Sequence, residues 1–500
     1  MLWTCLLLPS LAHDVFARAQ SPEDAARPFA VGSGGHYPRI AAVNAAAGHL
    51  GLRPGQLVSG ALALAPNLLL RDRDPDAEAA ALAAVATWAT QFTPAVSLAP
   101  PQAIVAEVGG SLRLFGGLPR LAAHLARGAR DLGYGARLAF AATPTAALLF
   151  ARAGHPAADS PAPAAALAPL PLADLGLDAT VTATLAAAGI TTFGAACALP
   201  RAALARRVGA DFVALLDRAR GLVADPQPPF VPPPRYTGRL ELPAAVESVE
   251  ALAFAVNRLV HELAGWLLGR GLGLAEMSLT LAHERHVAAR GGAAETRVRF
   301  ALAAPAREAA HLVAVLRERL ARVVLPAPVV TITLESEATA AIRGRNLGLL
   351  PGDTPPATVP LLDRLRARLG DDAATHVLPH AEHRPECAWR SAAVGTGTRL
   401  AAIPRGRAGA ASGAADADPD LPPRPLWLLA EPEPLGTRFE VRPWVLHEGP
   451  ERIESGWWDG IDIRRDYFIA ENPRGERVWI YRDHRYASDD GEWFLHGLFA

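Results

Sequence analysis

Five hundred residues exceed what a single hydrophobic core organises, so three or four domains are expected. Half the chain is hydrophobic and a fifth charged, and a formal net charge of −1 leaves no overall electrostatic footprint for nucleic acid. No lysine occurs and all 49 basic residues are arginine, which excludes lysine chemistry and confines any DNA binding to local arginines and backbone amides.

The chain opens on MLWTCLLLPSLAHDVFARA. Its apolar run is very short and no positive residue precedes it, so 2–8 reads as a buried strand, not a signal peptide. No stretch of ~20 charge-free apolar residues offers a membrane span. Residues 37–56 read as helix, glycine turn and extended exit, and 76–94 as a helix ended near Pro94. VSLAP and AIVAEVGG are strand-like, 118–133 is an amphipathic helix, and 136–154 is strand, turn and helix. This alternation predicts an α/β first domain over 1–155. A Pro/Ala linker is expected at 156–171.

Residues 170–224 read as an array of short helices. The link AAGITTFGA, with Gly189, Ile190, Thr191 and Gly194, has the pattern of a helix-hairpin-helix, which aims backbone N–H groups at a DNA phosphate. The alternative is an ordinary helical linker domain. A second linker, DPQPPFVPPP, spans 225–234.

Residues 235–340 read as strand, helix (247–270), strands (273–283 and 294–302), helix (305–323) and strand (328–335). That β-α-β-β-α-β order makes a small α+β sandwich. Arg235, Arg239, His283, Arg285, His286, Arg297 and Arg299 lie on or beside its strands, either as DNA-backbone contacts or as a solvated face. A connecting region at 341–403 carries a helix at 360–369, and a Gly/Ala/Asp/Pro segment at 404–425 reads as a flexible linker. The last segment, 426–500, holds six of the ten tryptophans and predicts a β-rich module. Trp457, Trp458, Asp459, Arg464, Arg465, Asp466 and Tyr467 combine aromatic and arginine anchors of the kind that bury at interfaces, and packing in a core is the other reading. Cys5, Cys197 and Cys387 are isolated and odd in number, which points to a reducing cytosol and away from a disulfide framework or a zinc site.

Over residues 1 to about 340 this succession resembles the Y-family translesion DNA polymerases: palm and fingers, helix-hairpin-helix thumb, then little finger. NAAAGHLGLRPGQ at 44–56, the 96–117 stretch ending GGSLRLFGG, and the hairpin carry the likeness. SGWWDGIDIRRDYFIAE and the terminal WFLHGLFA resemble the C-terminus of the ImuB family, catalytically inactive Y-family-like proteins of bacterial mutagenesis cassettes. The implied fold is α+β and multidomain, with a β-rich C-terminal module.

Nucleotidyl transfer needs two divalent ions held by carboxylates. Active Y-family enzymes carry D-x-D in the first strand and D-E after a palm serine. Here the first strand, Leu2 to Pro9, has no acid, and Asp14 lies beyond it. After Ser97 come Leu98, Ala99, Pro100, Pro101 and Gln102, and the next acid is Glu107. One carboxylate holds two Mg²⁺ ions poorly. The tyrosine and arginine that grip the triphosphate fall near Ala45 and Gly48, and the palm lysine near Leu149. No catalytic residue, metal site or cofactor is therefore expected, and the rival is a divergent polymerase using Glu107 and Asp14.

Asn346-Leu347-Gly348-Leu349-Leu350 is similar to a sliding-clamp peptide with Asn for the usual Gln, the alternative being an apolar turn packed on the sandwich. The resemblance implies a cytoplasmic, nucleoid-associated bacterial scaffold of SOS mutagenesis. Its implied partners are primer-template DNA, the β sliding clamp, a RecA-like ImuA and an error-prone C-family DNA polymerase α subunit.

Overall fold

The structure is a computed structural model that describes residues 1–20, 25–155, 162–284, 293–342, 358–393, 423–436, 444–485 and 492–499. It divides into two compact units, Met1–Gly370 and Asp371–Ala500.

The first unit begins with β1 (Trp3–Leu7) and continues through a small three-stranded sheet of β2 (Phe29–Gly32), β3 (Ile40–Val43) and β4 (Leu69–Asp72). It returns through β5 (Val96–Ala99), β6 (Ala103–Glu107) and β7 (Arg137–Ala141). The palm-like sheet runs β5-β6-β1-β7. Strand side chains alternate between faces, and both faces here are covered. Leu6, Leu8 and Ile104 pack with Leu82, Val85, Leu121 and Leu125 from the helices Pro75–Ala89 and Leu118–Asp131. Cys5, Leu7 and Val105 face the opposite way, toward Leu149 and Phe150 of the helix Pro144–Arg152. A run apolar at both phases thus becomes the central strand. The strand–helix alternation led to an expectation of α/β, but every pairing in this sheet is antiparallel. The helices cover its faces without linking neighbouring parallel strands, so the domain is α+β.

The thumb-like helices Ala179–Ala187, Phe193–Cys197, Arg201–Val208 and Ala210–Arg220 share the second palm core through Leu185, Phe193, Leu204 and Leu216. Both expected linkers are partly packed. Leu167 is fully buried, Ala162 N–H donates to Phe140 O at 2.9 Å, and Phe230 N–H donates to Val96 O at 2.7 Å.

The little-finger-like domain follows the predicted order: β8 (Thr237–Val246), helix Val249–Arg270, β9 (Leu272–His283), β10 (Glu295–Ala306), helix Ala309–Leu320 and β11 (Val329–Ala341). Its antiparallel sheet runs β10-β9-β11-β8, with one face on the helices. The helix Thr358–Leu369 joins this body. Asp363 accepts from His311 Nε2 at 2.9 Å and from Ala303 N–H at 2.6 Å, and Ala367 enters the core. The first unit therefore runs to Gly370, through part of the stretch expected to be connecting chain.

Palm and little finger meet over a buried charge pair. The Arg18 guanidinium donates to Glu262 and to the Tyr134 hydroxyl, both buried. Tyr236 donates to Glu262 Oε2 at 3.2 Å or Leu259 O at 2.9 Å. Beside this pair Gly128 and Gly265 let two helices close on the Trp88 ring, which a β-carbon at either position would strike.

The second unit contains the hairpin of β12 (Thr375–Pro379) and β13 (Trp389–Ala393) and an antiparallel sheet ordered β14-β18-β17-β16-β15. These are β14 (Trp427–Pro434), β15 (Val445–Ser455), β16 (Ile463–Glu471), β17 (Arg477–Asp483) and β18 (Glu492–Leu498). Its core is aromatic: Tyr467 stacks on Trp479 with centroids 4.0 Å apart, beside Tyr481, Ile453, Ile463 and Ile469.

Candidate nucleic-acid interface

Two stretches where the resemblance would place metal-binding acids come together at one end of the palm sheet. Leu8 N–H donates to Gln102 O at 2.8 Å, which sets Leu8 and Pro9 beside the β5–β6 turn. Leu8 is buried, while Pro9, Pro100 and Pro101 are exposed. None has a ligating side chain.

The two nearby acids lie elsewhere and are occupied. Glu107 pairs with Trp3 at the opposite end of β1, and its Oε1 accepts from Leu2 N–H at 3.1 Å and Gly109 N–H at 3.0 Å. Asp14 Oδ2 accepts from Gly135 N–H at 3.0 Å, and Oδ1 lies 3.0 Å from His13 Nδ1. Gly135 precedes Arg137, the residue paired with Leu7. From Trp3 to Leu7 the strand rises roughly 13 Å, so Glu107 and Asp14 are tied to opposite ends of β1. Between them Cys5 is fully buried, and burial pushes its thiol up to about 12, which leaves it inert. Among the described residues no group of three or more His, Cys, Asp or Glu is placed to hold a metal ion.

The triphosphate-facing positions are equally plain. Ala45 and Gly48 lie exposed on the short helix Ala45–His49, and Leu149 is buried in the palm core.

In the thumb hairpin, Gly189 has φ +77°, a conformation glycine adopts freely, and its N–H donates to Ala186 O at 2.9 Å. Ile190 N–H donates to Leu185 O and Gly194 N–H to Ala168 O, each at 2.9 Å. Gly194 is also a close-approach position, since a β-carbon there would sit 3.0 Å from Ala168 O. Three of the four residues expected to offer N–H groups to a phosphate thus spend them inside the fold. Thr191 accepts from Leu172 N–H through its carbonyl at 2.9 Å.

Arg235, Arg239, Arg297 and Arg299 are exposed, but glutamates share their sheet face. Arg297 lies 3.3 Å from Glu335 and 3.8 Å from Glu337, and Arg239 lies 2.9 Å from Glu241. A Ser278 hydrogen bond, helped by Arg297, Arg299 and Arg235, holds the Glu337 carboxyl below its ordinary range. His283 is buried and bonded to Thr296 Oγ1 at 2.8 Å, a structural role. Arg285 and His286, like Asn346, Leu347, Leu349 and Leu350, lie outside the described residues.

The structure splits the aromatic–arginine group of the second unit. Trp457 and Trp458 are 79% and 56% exposed, and Arg464 is exposed. Tyr467, Arg465 and Asp466 are buried and build the module itself, which removes them from its outer surface. Arg465 donates to Glu386 at 2.9 Å and to the Tyr467 hydroxyl at 3.1 Å, while Asp466 takes a bidentate pair from Arg452 at 2.7 and 2.8 Å. The period-two alternation Ile463, Arg465, Tyr467, Ile469 was the signal that could have placed Arg465 and Tyr467 inward. Asp459 is bound by Arg384, a residue the sequence did not single out.

Residues 14–152 match the impB/mucB/samB family. Two curated proteins named ImuB, from Caulobacter vibrioides strains NA1000 / CB15N and ATCC 19089 / CIP 103742 / CB 15, are each 31% identical over 483 residues, covering 90% of this chain and 100% of the relative. Solved structures of DinB from Sulfolobus solfataricus and of an insertion ternary complex of Dbh DNA polymerase are each 14% identical, with TM-scores of 0.38 and 0.39. They cover 69% and 67% of this chain and 100% and 98% of their own. With that identity sustained across nine-tenths of its length, from the palm-like sheet into the aromatic C-terminal module, the chain belongs to the ImuB family of Y-family polymerase-like proteins.

Proposed function

We propose that the chain is a non-catalytic scaffold of error-prone translesion DNA synthesis. It binds primer-template DNA and the sliding clamp, and recruits a RecA-like ImuA and the α subunit of an error-prone C-family polymerase in the bacterial cytoplasm. One observation carries the reading. Leu8, Pro9, Pro100 and Pro101 furnish the place where two stretches converge, while Glu107 and Asp14 are hydrogen-bonded at opposite ends of β1. Two-metal phosphoryl transfer needs ligands shared by ions ~4 Å apart, and these two acids do not converge on such a site.

Primer extension with Mg²⁺ or Mn²⁺ tests this. No incorporation is expected, and incorporation that disappears in Glu107→Ala would sink the reading in favour of a divergent polymerase. DNA contact is assigned to the arginines of the little-finger face, and is expected to weaken as salt rises. Affinity that ignores salt would favour a pure protein adaptor. Clamp contact is assigned to Asn346–Leu350, between β11 and the helix Thr358–Leu369 in sequence. Leu349→Ala with Leu350→Ala is expected to abolish clamp pull-down and spare DNA affinity. Partner recruitment is assigned to the second unit, so truncation after Gly370 is the appropriate deletion. A cut at 425 would part Glu382, Arg384 and Glu386 from the strands they bond.

A further inference from the structure

The loop Gly456–Ile461 reads Gly-Trp-Trp-Asp-Gly-Ile and joins β15 to β16. It exposes three apolar side chains, Trp457, Trp458 and Ile461, with Ile461 62% exposed. Such residues on a loose loop would be an entropic burden for any partner. This loop is instead braced from within. Asp459 Oδ1 accepts from Ile461 N–H at 3.0 Å, and Gly456 turns at φ +85°, where a β-carbon would collide with Ile461 O and lie 3.0 Å from the Arg384 guanidinium. The two indoles sit edge to face, centroids 5.4 Å apart.

The brace is anchored outside the five-stranded sheet. Arg384, in the segment between β12 and β13, is 6% exposed and donates to Asp459 Oδ2 at 2.6 Å, Ile461 O at 3.4 Å and Glu382 Oε2 at 2.8 Å. Glu382 Oε1 in turn accepts from Ser455 Oγ at 2.8 Å and from the N–H groups of His383 and Arg384. These bonds hold the Glu382 carboxyl down to about 2 and keep Asp459 below its ordinary range. The loop's own acid is thereby paired with a buried arginine that it shares with Glu382.

Neighbouring cations are spent in the same way. Arg464 lies 3.6 Å from Asp462 and opposite Glu454 in the β15–β16 register, and Arg452 is bidentate on Asp466. A nucleic-acid platform combines aromatics with cations free for phosphate. Here the arginines flanking the indoles face carboxylates that outnumber them, so the patch is apolar with no excess of positive charge to offer a phosphate. Tryptophans in that setting are protein hot-spot anchors.

We infer that the Gly456–Ile461 loop is a pre-formed aromatic knob that seats in an apolar groove of a folded protein partner, and that Arg384 is the positioning residue that keeps it in shape. This rests on the scaffold reading, in which the second unit recruits partners. The test titrates the full chain, separately, with the RecA-like ImuA, the C-family α subunit and oligothymidylate. The variants are Trp457→Ala/Trp458→Ala, Arg384→Ala, Arg384→Lys and Asp459→Asn.

The expected result is that wild type binds at least one protein probe, and that the double tryptophan variant, altered only at exposed positions, loses at least tenfold in affinity for it. Arg384→Ala and Asp459→Asn should weaken the same binding and abolish the exciton couplet of the indole pair in circular dichroism, with Arg384→Lys intermediate. Loss of the couplet without loss of the thermal transition marks positioning, which a merely stabilising arginine would not produce. Wild-type binding that survives in the double variant overturns this inference and leaves the scaffold reading standing. Binding by neither protein probe overturns both. Binding of oligothymidylate that depends on the two tryptophans replaces the protein groove with nucleic acid.

Discussion

The end of β1 and the Gly456–Ile461 loop use carboxylates in opposite ways. In the palm the acids are solitary and peripheral, and Glu107 and Asp14 each close a loop by accepting backbone N–H groups. In the second unit the acids come in arginine networks, and the network around Glu382, Arg384 and Asp459 supports an exposed aromatic surface. The first arrangement spends single acids on tying loops to the palm sheet. The second spends charge on presenting a shape. The difference locates function by asking what a polar network holds in place, not where polar residues are dense.

The largest expected effect concerns a buried charge pair of the first unit, at its palm–little finger joint. Arg18 and Glu262 are each 4% exposed at the side chain. Glu262→Gln removes the compensating charge and leaves the Arg18 guanidinium buried, which costs about 3–5 kcal/mol when one partner of such a pair is lost. Denaturant unfolding of the full chain should show the first unit's transition shifted by that amount. A shift below about 1 kcal/mol would mean that the joint is held by its apolar contacts and that buried charge in this unit is incidental.

The next effect belongs to the second unit and is read by pH. His496 is fully buried, and burial pulls its imidazole down to about 4. The Tyr467 oxygen accepts from Arg465, and its hydroxyl lies 2.8 Å from His496 Nδ1, where a neutral imidazole offers a lone pair to the hydroxyl proton. The folded pKa is depressed, so the unfolded chain takes up the proton first as pH falls. The stabilisation is complete above about 6.5 and is lost between about 6.5 and 4, at up to ~1.4 kcal/mol per pH unit. The acids held low in this unit, Glu382 among them, lose their contribution only below the ordinary carboxylate range. Thermal midpoints of the second unit should therefore drop between pH 6.5 and 5 in wild type and stay level in His496→Gln. Equal slopes in the two proteins would remove His496 from the account.

A smaller effect is expected at the palm. Glu107→Ala deprives Leu2 and Gly109 of an acceptor in a partly buried site, for roughly 1–2 kcal/mol. Equilibrium unfolding should register that loss while DNA binding is unchanged. A change in DNA affinity without a change in stability would reverse the structural role assigned to this acid.

What could be read from sequence follows the range of the interactions. β1 was legible because an apolar run of that length, covered on both faces, has few alternatives. The β-α-β-β-α-β order was legible because periods of 2 and 3.6 are local properties. The antiparallel course of the palm sheet was not, since strand direction depends on pairings between Trp3 and Glu107 or Ala141 that leave no local mark. Arg18 and Glu262 stand 244 residues apart, and Arg384 and Asp459 stand 75 apart, so neither pair has a spacing signature. The hairpin glycines were recognisable as a motif, but whether their N–H groups face outward depends on Ala168 and Ala186, which only the fold brings to them.

The smallest effect also decides whether the little-finger face belongs with the palm's loop-tying acids or with the networks that present a surface. Arg297 is 44% exposed and shares its charge between Glu335 and Glu337, so Arg297→Ala should change stability by less than about 1 kcal/mol. Its informative readout is DNA. If the arginine meets a phosphate, its removal lowers the salt slope by about 1, while Glu335→Gln with Glu337→Gln frees the arginine and raises affinity. If the face is simply solvated, both variants bind primed DNA like wild type across the salt titration. The glutamate pair is the sharper probe, because removing negative charge strengthens binding only where that face approaches the phosphates.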